Sequence, residues 1–110
     1  MTISYFVFYR GKADNQSAFV ERYKKTHVPI LKRFPGIKRV RVHTPVAWND
    51  SQTINPGNFT LIAEMLFDSV EDLEAALHSE ERNMAREDFR QFPAFDGVIW
   101  HQAMSCEEEL

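Results

Sequence analysis

Apolar and polar positions repeat along this chain with two different periods, and these periods divide it into strands and helices. Aromatic and β-branched runs, or strict alternation, predict strands over residues 3–9, 37–46, 59–67 and 97–104. Gly11 is expected to end the first strand at a turn. Apolar residues spaced three and four apart predict helical regions over about 14–34 and 69–92. The predicted order is therefore βαββαβ.

Capping residues and prolines set the expected limits of the two helical regions. Asp14, or Asn15 beside it, is expected to cap the first region. Pro29 should interrupt that region, because proline cannot donate the backbone hydrogen bond that an α-helix needs there. Ser69 is expected to cap the second region, which should break near His78 and resume after it.

This element order predicts an α+β fold of the ferredoxin-like type. Two βαβ units with right-handed crossovers give a four-stranded antiparallel sheet with both helical regions on one face. Residues 1–110 are expected to form a single domain, since 110 residues suffice for one hydrophobic core and not for two.

Both faces of the predicted sheet are apolar. The first strand places Tyr5, Val7 and Tyr9 on one face and Phe6 and Phe8 on the other, and the third strand is apolar on both sides as well. The helices of one chain cover only one face. We therefore expect a second copy to cover the other face and form a homodimer, a dimeric α+β barrel.

Charge and composition exclude several classes of partner. The net charge is −3, so the chain lacks the basic patch that nucleic-acid phosphates require. No apolar run approaches the ~20 residues that span a bilayer, and the start of the chain lacks the pattern of a secretion signal. The single cysteine is Cys106, which fits a reducing compartment. We expect a cytoplasmic protein that contacts neither nucleic acid nor membrane.

His27 is the first candidate for chemistry. It lies four residues after Tyr23 on the apolar side of the first helical region, so the imidazole and the phenol can touch. A helix that kinks or ends near Pro29 would leave an opening beside this titratable group. The alternative is that His27 is a hydrogen-bonded core residue with no chemical role.

Glu64 and His101 are further candidates on the third and fourth strands. Facing the helices, Glu64 would orient His27, and facing the other side it would be structural. Trp100 and His101 alternate, so one of them faces the helices. The positive or titratable side chains of the second strand are expected to be solvated edge charges that discourage aggregation: Arg39, Arg41 and His43.

The expected pocket lies between the sheet and the helices. The residues expected to contact a ligand there are Phe19, Tyr5, Phe67, Trp100 and His101. The expected catalytic set is His27, Tyr23 and Glu64. The chain contains no His-x-His, His-x-x-x-His or cysteine pair, and no glycine-rich phosphate loop. We therefore expect no metal and no cofactor.

Three segments of the chain resemble the EthD family of the dimeric α+β barrel superfamily. They are residues 19–29, which contain Tyr23, His27 and Pro29, the Phe-Pro-Gly of 34–36, and residues 63–69. The resemblance covers nearly the whole chain and implies the fold and the dimer. It implies function only loosely, because the superfamily includes cofactor-independent monooxygenases, muconolactone-type isomerases, polyketide cyclases and haem-degrading enzymes.

Together, residues and resemblance indicate a small-molecule enzyme of catabolic or secondary metabolism. The expected chemistry is cofactor-independent, monooxygenase-like oxidation of an aromatic or ketone-like substrate, with His27 as proton acceptor and Tyr23 as its partner. Two alternatives remain: an isomerase or cyclase acting through an enolate, and a non-catalytic ligand-binding accessory protein.

Overall fold

The computed structural model describes residues 2–106, and the acidic tail expected at Glu107–Glu109 lies outside this range. The strands are β1 (Thr2–Ala13), β2 (Arg39–His43), β3 (Phe59–Phe67) and β4 (Phe95–Cys106). The helices are α1 (Gln16–Arg22), a π-helical turn (Tyr23–His27), α2 (Val28–Leu31), α3 (Val70–Leu77) and α4 (Glu80–Phe89). Among these described residues, no helix has the length and apolar character needed to cross a membrane.

The four strands form one sheet in the order β2-β3-β1-β4, and every neighbouring pair is antiparallel. This is the ferredoxin-like arrangement, so the predicted fold class is confirmed. β2 lies at one edge, as its alternating pattern indicated, and it is shorter than the predicted 37–46. β4 forms the other edge.

β1 continues past Gly11, where the sequence predicted a turn. Gly11 lies opposite Gly97 with φ of 138°. A Cβ on Gly11 would overlap the backbone oxygen of Asp96, so the two strands approach too closely for any larger residue. The prediction that the strand ends at Gly11 was wrong, because this glycine permits a close approach within the sheet.

Side-chain caps start the helices where the sequence placed them. The alternative cap, Asn15, rather than Asp14, accepts the hydrogen bond from the third residue of α1. Ser69 caps α3 and Ser79 caps α4 in the same way, at 3.1 and 3.4 Å. The expected break near His78 is confirmed, since α3 ends just before that residue.

The first helical region widens into a π-helical turn before Pro29. The backbone N–H of Val28 donates to the carbonyl of Tyr23, five residues earlier. In an α-helix it would donate to the carbonyl four residues earlier. Pro29 follows immediately and has no N–H to continue the α-helical pattern. The turn therefore ends at His27, and both Tyr23 and His27 point to the buried side of the region.

The core lies between the helices and the face of the sheet they cover. Along β1 the odd-numbered residues Ile3 to Tyr9 are buried on this face. Aromatic rings fill its centre, with Tyr9 5.7 Å from Phe19, 5.6 Å from Tyr23 and 5.5 Å from Phe89 between ring centroids.

The opposite face of the sheet, called here the open face, has no helix over it. Phe6 and Phe8 stack there with ring centroids 5.7 Å apart. Trp100 lies on the same face beside Phe8 and is 50 % exposed, and Met104 is 55 % exposed. The open face thus presents large apolar side chains to solvent in the single chain.

Candidate functional site

A cavity of about 390 Å³ lies between the helices and the sheet. This is the size of a site for a small organic ligand. Its walls are Tyr5, Val7, Tyr9, Tyr23, His27, Leu31, Phe34, Met65, Leu77, Arg82, Ala85, Arg86, Phe89, Arg90, Ile99 and His101. Most of these side chains are apolar or aromatic. The exceptions are two histidines and three arginines: His27, His101, Arg82, Arg86 and Arg90.

Four of the residues predicted from sequence line this cavity together: Tyr5, Tyr23, His27 and His101. Tyr23 and His27 lie in contact, with ring centroids 4.7 Å apart. His101 contacts Tyr5 across β1 and β4, at 5.7 Å between centroids. The sequence left open which of Trp100 and His101 faces the helices, and the structure places His101 there.

Three predicted ligand-contacting residues lie elsewhere. Phe19 and Phe67 are buried in the core, outside the cavity wall, and Trp100 lies on the open face. For Trp100 the reason is the strand register, because it pairs with Phe8 and so points away from the helices.

Glu64 also lies on the open face, away from His27. It accepts a hydrogen bond from the Ser4 hydroxyl at 2.9 Å, and His43 Nε2 lies 3.2 Å from its other carboxylate oxygen. Arg41 approaches to 3.7 Å. Of the two placements the sequence allowed for Glu64, the structure shows the structural one. His43 and Arg41 are accordingly partners of a buried carboxylate rather than only solvated edge charges.

The partner of His27 is Asp88, on α4. His27 Nδ1 lies 3.0 Å from Asp88 Oδ2, and both side chains are nearly buried. In the neutral imidazole the Nδ1 proton donates to the carboxylate, which leaves Nε2 unprotonated. Within residues 2–106, Nε2 of His27 has no hydrogen-bond partner, and the ring forms part of the cavity wall. The unprotonated nitrogen therefore belongs to a ring that lines the cavity.

Asp88 is itself held in place from α1 and the π-helical turn. The Arg22 guanidinium donates to Oδ1 at 2.6 Å, and the Thr26 hydroxyl lies 3.3 Å from Oδ2 while donating to the Arg22 carbonyl. Partial burial opposes ionisation of Asp88, yet the hydrogen bonds from His27 and Arg22 outweigh it and lower its pKa. The carboxylate stays charged and fixes the imidazole orientation.

Burial lowers the pKa of His27 below its usual 6.5, Asp88 opposes this shift and Arg22 adds to it. The imidazole is therefore neutral at neutral pH, which is the state a proton acceptor needs.

Tyr9 and Tyr23 line the cavity together with His27, and their two side chains interact with each other. Burial raises the pKa of Tyr9 to about 12 and raises the pKa of Tyr23 well above its usual value. Both phenols keep their protons, so they can donate hydrogen bonds to an oxygen atom in the cavity. Tyr23 was a candidate from the sequence, and Tyr9 was not.

Sequence reasoning also missed Asp88, Arg82 and Arg86. A signal for Asp88 existed: it follows Met84 by four residues and precedes Phe89, which puts a carboxylate at the edge of the apolar stripe of its helix. The arginines show the four-residue spacing that places side chains on one helix face.

Metal ligands are not grouped in the part of the chain that the structure describes. No cluster of three or more His, Cys, Asp or Glu side chains suited to a metal ion occurs among residues 2–106.

The fold and the cavity together define a small ferredoxin-like protein with an imidazole–carboxylate pair inside a ligand-sized site. The EthD domain family matches residues 15–96. The chain therefore belongs to the EthD family. This range includes the π-helical turn and α4, the two elements that supply the pair.

Solved structures share the fold over almost the whole chain. An EthD family protein from Bacillus halodurans is 23% identical, with full coverage of both chains and a TM-score of 0.74. A hydroxynitrile lyase from Passiflora edulis is 20% identical, and the match covers 99% of this chain and 96% of the lyase with a TM-score of 0.69. SnoaB, a cofactor-independent oxygenase from Streptomyces nogalater, is 12% identical, with the same coverage and a TM-score of 0.64. No curated protein matches the chain.

Proposed function

We propose that this protein is a cofactor-independent oxidoreductase that abstracts a proton next to a carbonyl of an aromatic or ketone-like substrate. One observation carries the proposal: Asp88 holds His27 Nδ1 at 3.0 Å, and this leaves Nε2 as the basic nitrogen of a neutral ring that lines the cavity. The similarity to a cofactor-independent oxygenase adds support at the level of the fold.

In the proposed reaction, His27 Nε2 takes a proton from a CH₂ group beside the carbonyl, and the C–H electron pair becomes an enolate. Tyr9 and Tyr23 are hydrogen-bonded to each other, and the hydroxyl whose proton is not used in that bond donates to the enolate oxygen and stabilises its charge. The carbanion carbon then gives its electrons to dioxygen, and the peroxide oxygen takes the proton back from His27. Loss of water from this hydroperoxide leaves a new C=O group, so one O₂ converts CH₂ to C=O and H₂O.

A second candidate is isomerisation or cyclisation through the same enolate. His101 favours it, because a second imidazole on the strand wall of the same cavity offers another site from which a proton can be returned. Burial, followed by Arg82 and Arg86, lowers the pKa of His101 as well. The third alternative is a ligand-binding accessory role, in which the cavity binds a molecule and no bond changes.

We also propose that the protein acts as a homodimer through the open face. Phe6, Phe8 and Trp100 would pack against the same residues of a second copy, which would remove apolar area that a soluble monomer rarely exposes. The cavity lies on the other side of the sheet and remains in each protomer.

Phenylacetone tests the proposed proton abstraction, because its CH₂ group lies between a ring and a carbonyl. In D₂O, the protein should accelerate deuterium incorporation at this CH₂ over protein-free buffer, as measured by proton NMR. His27→Gln should abolish the acceleration and leave the fold intact, whereas the matched control His78→Gln, at an exposed helix end, should retain it.

The other outcomes separate the alternatives. Oxygen uptake with phenylacetone indicates the oxygenase, and exchange without oxygen uptake indicates the isomerase or cyclase. Binding of phenylacetone with no exchange in the unmodified protein would contradict the catalytic proposal and support the accessory role.

A further inference from the structure

One wall of the cavity carries a row of arginines on α4. Arg82 and Arg86 in α4 and Arg90, the residue that caps its end, follow one another at intervals of four residues, so they lie along one face, and all three line the cavity. Arg90 pairs with Glu87 at 2.9 Å. Neither Arg82 nor Arg86 forms an ion pair with any residue from 2 to 106.

The lack of carboxylate partners follows from the sequence of α4. The helix is rich in acidic residues, yet none lies three or four positions from Arg82 or Arg86. The residues at those positions are His78, Ser79, Asn83, Ala85, Phe89 and Arg90. The two guanidinium groups therefore add positive charge that the helix itself does not neutralise.

Arg82 is also held in position. Its Nη1 donates to the carbonyl of Leu77, at the end of α3, at 3.2 Å. Arg82 also makes a side-chain hydrogen bond with Tyr5. A guanidinium has five donors, so these two bonds leave it further donors to offer a ligand.

Tyr5 and His101 lie opposite this positive charge. Burial raises the pKa of Tyr5, and Arg82 and Arg86 oppose that shift. The same two arginines add to the effect of burial in lowering the pKa of His101. Tyr5, Arg82, Arg86 and His101 all line the same cavity, so the guanidinium groups act on both rings within one site.

The His27 end of the cavity has a different charge balance. Arg22 is paired with Asp88, Arg90 is paired with Glu87, and His27 is neutral, so carboxylates offset the positive charge there. Arg82 and Arg86 affect His101 and not His27, so we call their side of the cavity the positive end and the side of His27 the proton-accepting end.

We propose that Arg82 and Arg86 bind a carboxylate on the substrate, so that the ligand of this cavity is a small aromatic carboxylate. The inference rests on the proposed function insofar as the bound molecule is the substrate. A planar carboxylate matches the fork of donors on a guanidinium. With the carboxylate at this end, the ring and the reacting carbon extend along the apolar wall toward His27.

Isothermal titration with benzoate and with benzyl alcohol tests this inference, because the two probes share a ring and differ in charge. Benzoate should bind at least about tenfold more tightly, since hydrogen bonds between charged groups are stronger than neutral ones. Arg86→Gln and Arg82→Gln should each weaken benzoate about tenfold and leave benzyl alcohol unchanged. The matched control Arg33→Gln removes an exposed arginine outside the cavity and should leave both affinities unchanged.

Arg82→Gln removes the hydrogen bond to the Leu77 carbonyl and could unfold the protein for that reason alone. Arg86 is exposed and makes no such bond, so Arg86→Gln still tests the inference in that case. Equal binding of the two probes, no binding of benzoate, or an effect of Arg33→Gln as large as that of Arg86→Gln would overturn the inference. Tighter binding of phenylphosphonate than of benzoate would overturn the assignment to carboxylates and indicate a phosphate group instead.

His27→Gln separates this inference from the proposed function. The variant should still prefer benzoate to benzyl alcohol, because the arginines are intact. A preserved preference together with no proton exchange in the unmodified protein would reject the proposed reaction and keep the anion site.

Discussion

His27 and Asp88 are 61 residues apart in sequence, and His27 Nδ1 lies 3.0 Å from Asp88 Oδ2. The π-helical turn presents the imidazole, and α4 presents the carboxylate. The pair exists only because these two elements pack side by side on the same face of the sheet. The proposed chemistry depends on this contact more than on any feature within one element.

Asp88→Asn should lower the rate of deuterium exchange into phenylacetone by at least about 100-fold, because the amide cannot hold the Nδ1 proton as the carboxylate does. The negative charge of Asp88 also raises the pKa of His27 against the effect of burial. The acid limb of the pH–rate profile should therefore move to lower pH in the variant. Asp96→Asn, at an exposed position of β4, is the control. An unchanged pH profile would show that Asp88 is structural only.

Stability should fall as the pH drops below the usual histidine value of 6.5. The pKa values of His27 and His101 are lowered in the folded protein, chiefly by burial. In that range the unfolded chain binds more protons than the folded chain, so the free energy of unfolding decreases with decreasing pH. Urea unfolding between about pH 8 and pH 5 measures this slope. His101→Gln should reduce the slope, and a slope of the opposite sign would contradict the lowered pKa values of the two rings.

Phe6→Asp should dissociate the proposed homodimer. Phe6 lies at the centre of the open face, opposite Glu64 on β3, so a new carboxylate there would face both the partner and an existing negative charge. Val46→Asp, in an exposed loop, makes the same kind of change away from the sheet and should leave the assembly intact. Analytical ultracentrifugation at micromolar concentration distinguishes the two. A folded monomer of the unmodified protein would reject the dimer.

Gly11→Ala should destabilise the fold by about 2 kcal/mol or more, since the residue has φ of 138° and its Cβ would overlap the Asp96 carbonyl. Thermal and urea unfolding measure the change. The exposed Gly36 also has a positive φ, of 77°, but its Cβ would meet Asp72 Cβ at 3.3 Å, which is a tight contact and not an overlap with backbone. Gly36→Ala should therefore cost less. Equal losses would mean that backbone strain alone, and not strand contact, sets the cost.

The sequence predicted the elements and their order because the apolar period of each segment is strong. It also predicted that Tyr23 and His27 meet, since four residues along a helix bring two side chains to the same face. Local spacing was sufficient for each of these results.

The remaining parts of the site depend on contacts between distant segments. Asp88 could not be assigned to His27 without knowing that α4 packs against the π-helical turn. The side of the sheet taken by Glu64, Trp100 and His101 depends on register, and a shift of one residue reverses it. A pattern of alternation shows that two faces exist, but it does not say which face the helices cover.

The register of β1 determines which substitutions alter ligand binding and which alter self-association. Tyr5, Val7 and Tyr9 form a wall of the cavity, while Phe6 and Phe8 between them lie on the open face. Ligand preference and self-association can therefore be altered separately by substitutions at neighbouring positions of a single strand. An insertion or deletion of one residue within β1 would reverse the faces of the residues on one side of it and so disturb both properties at once.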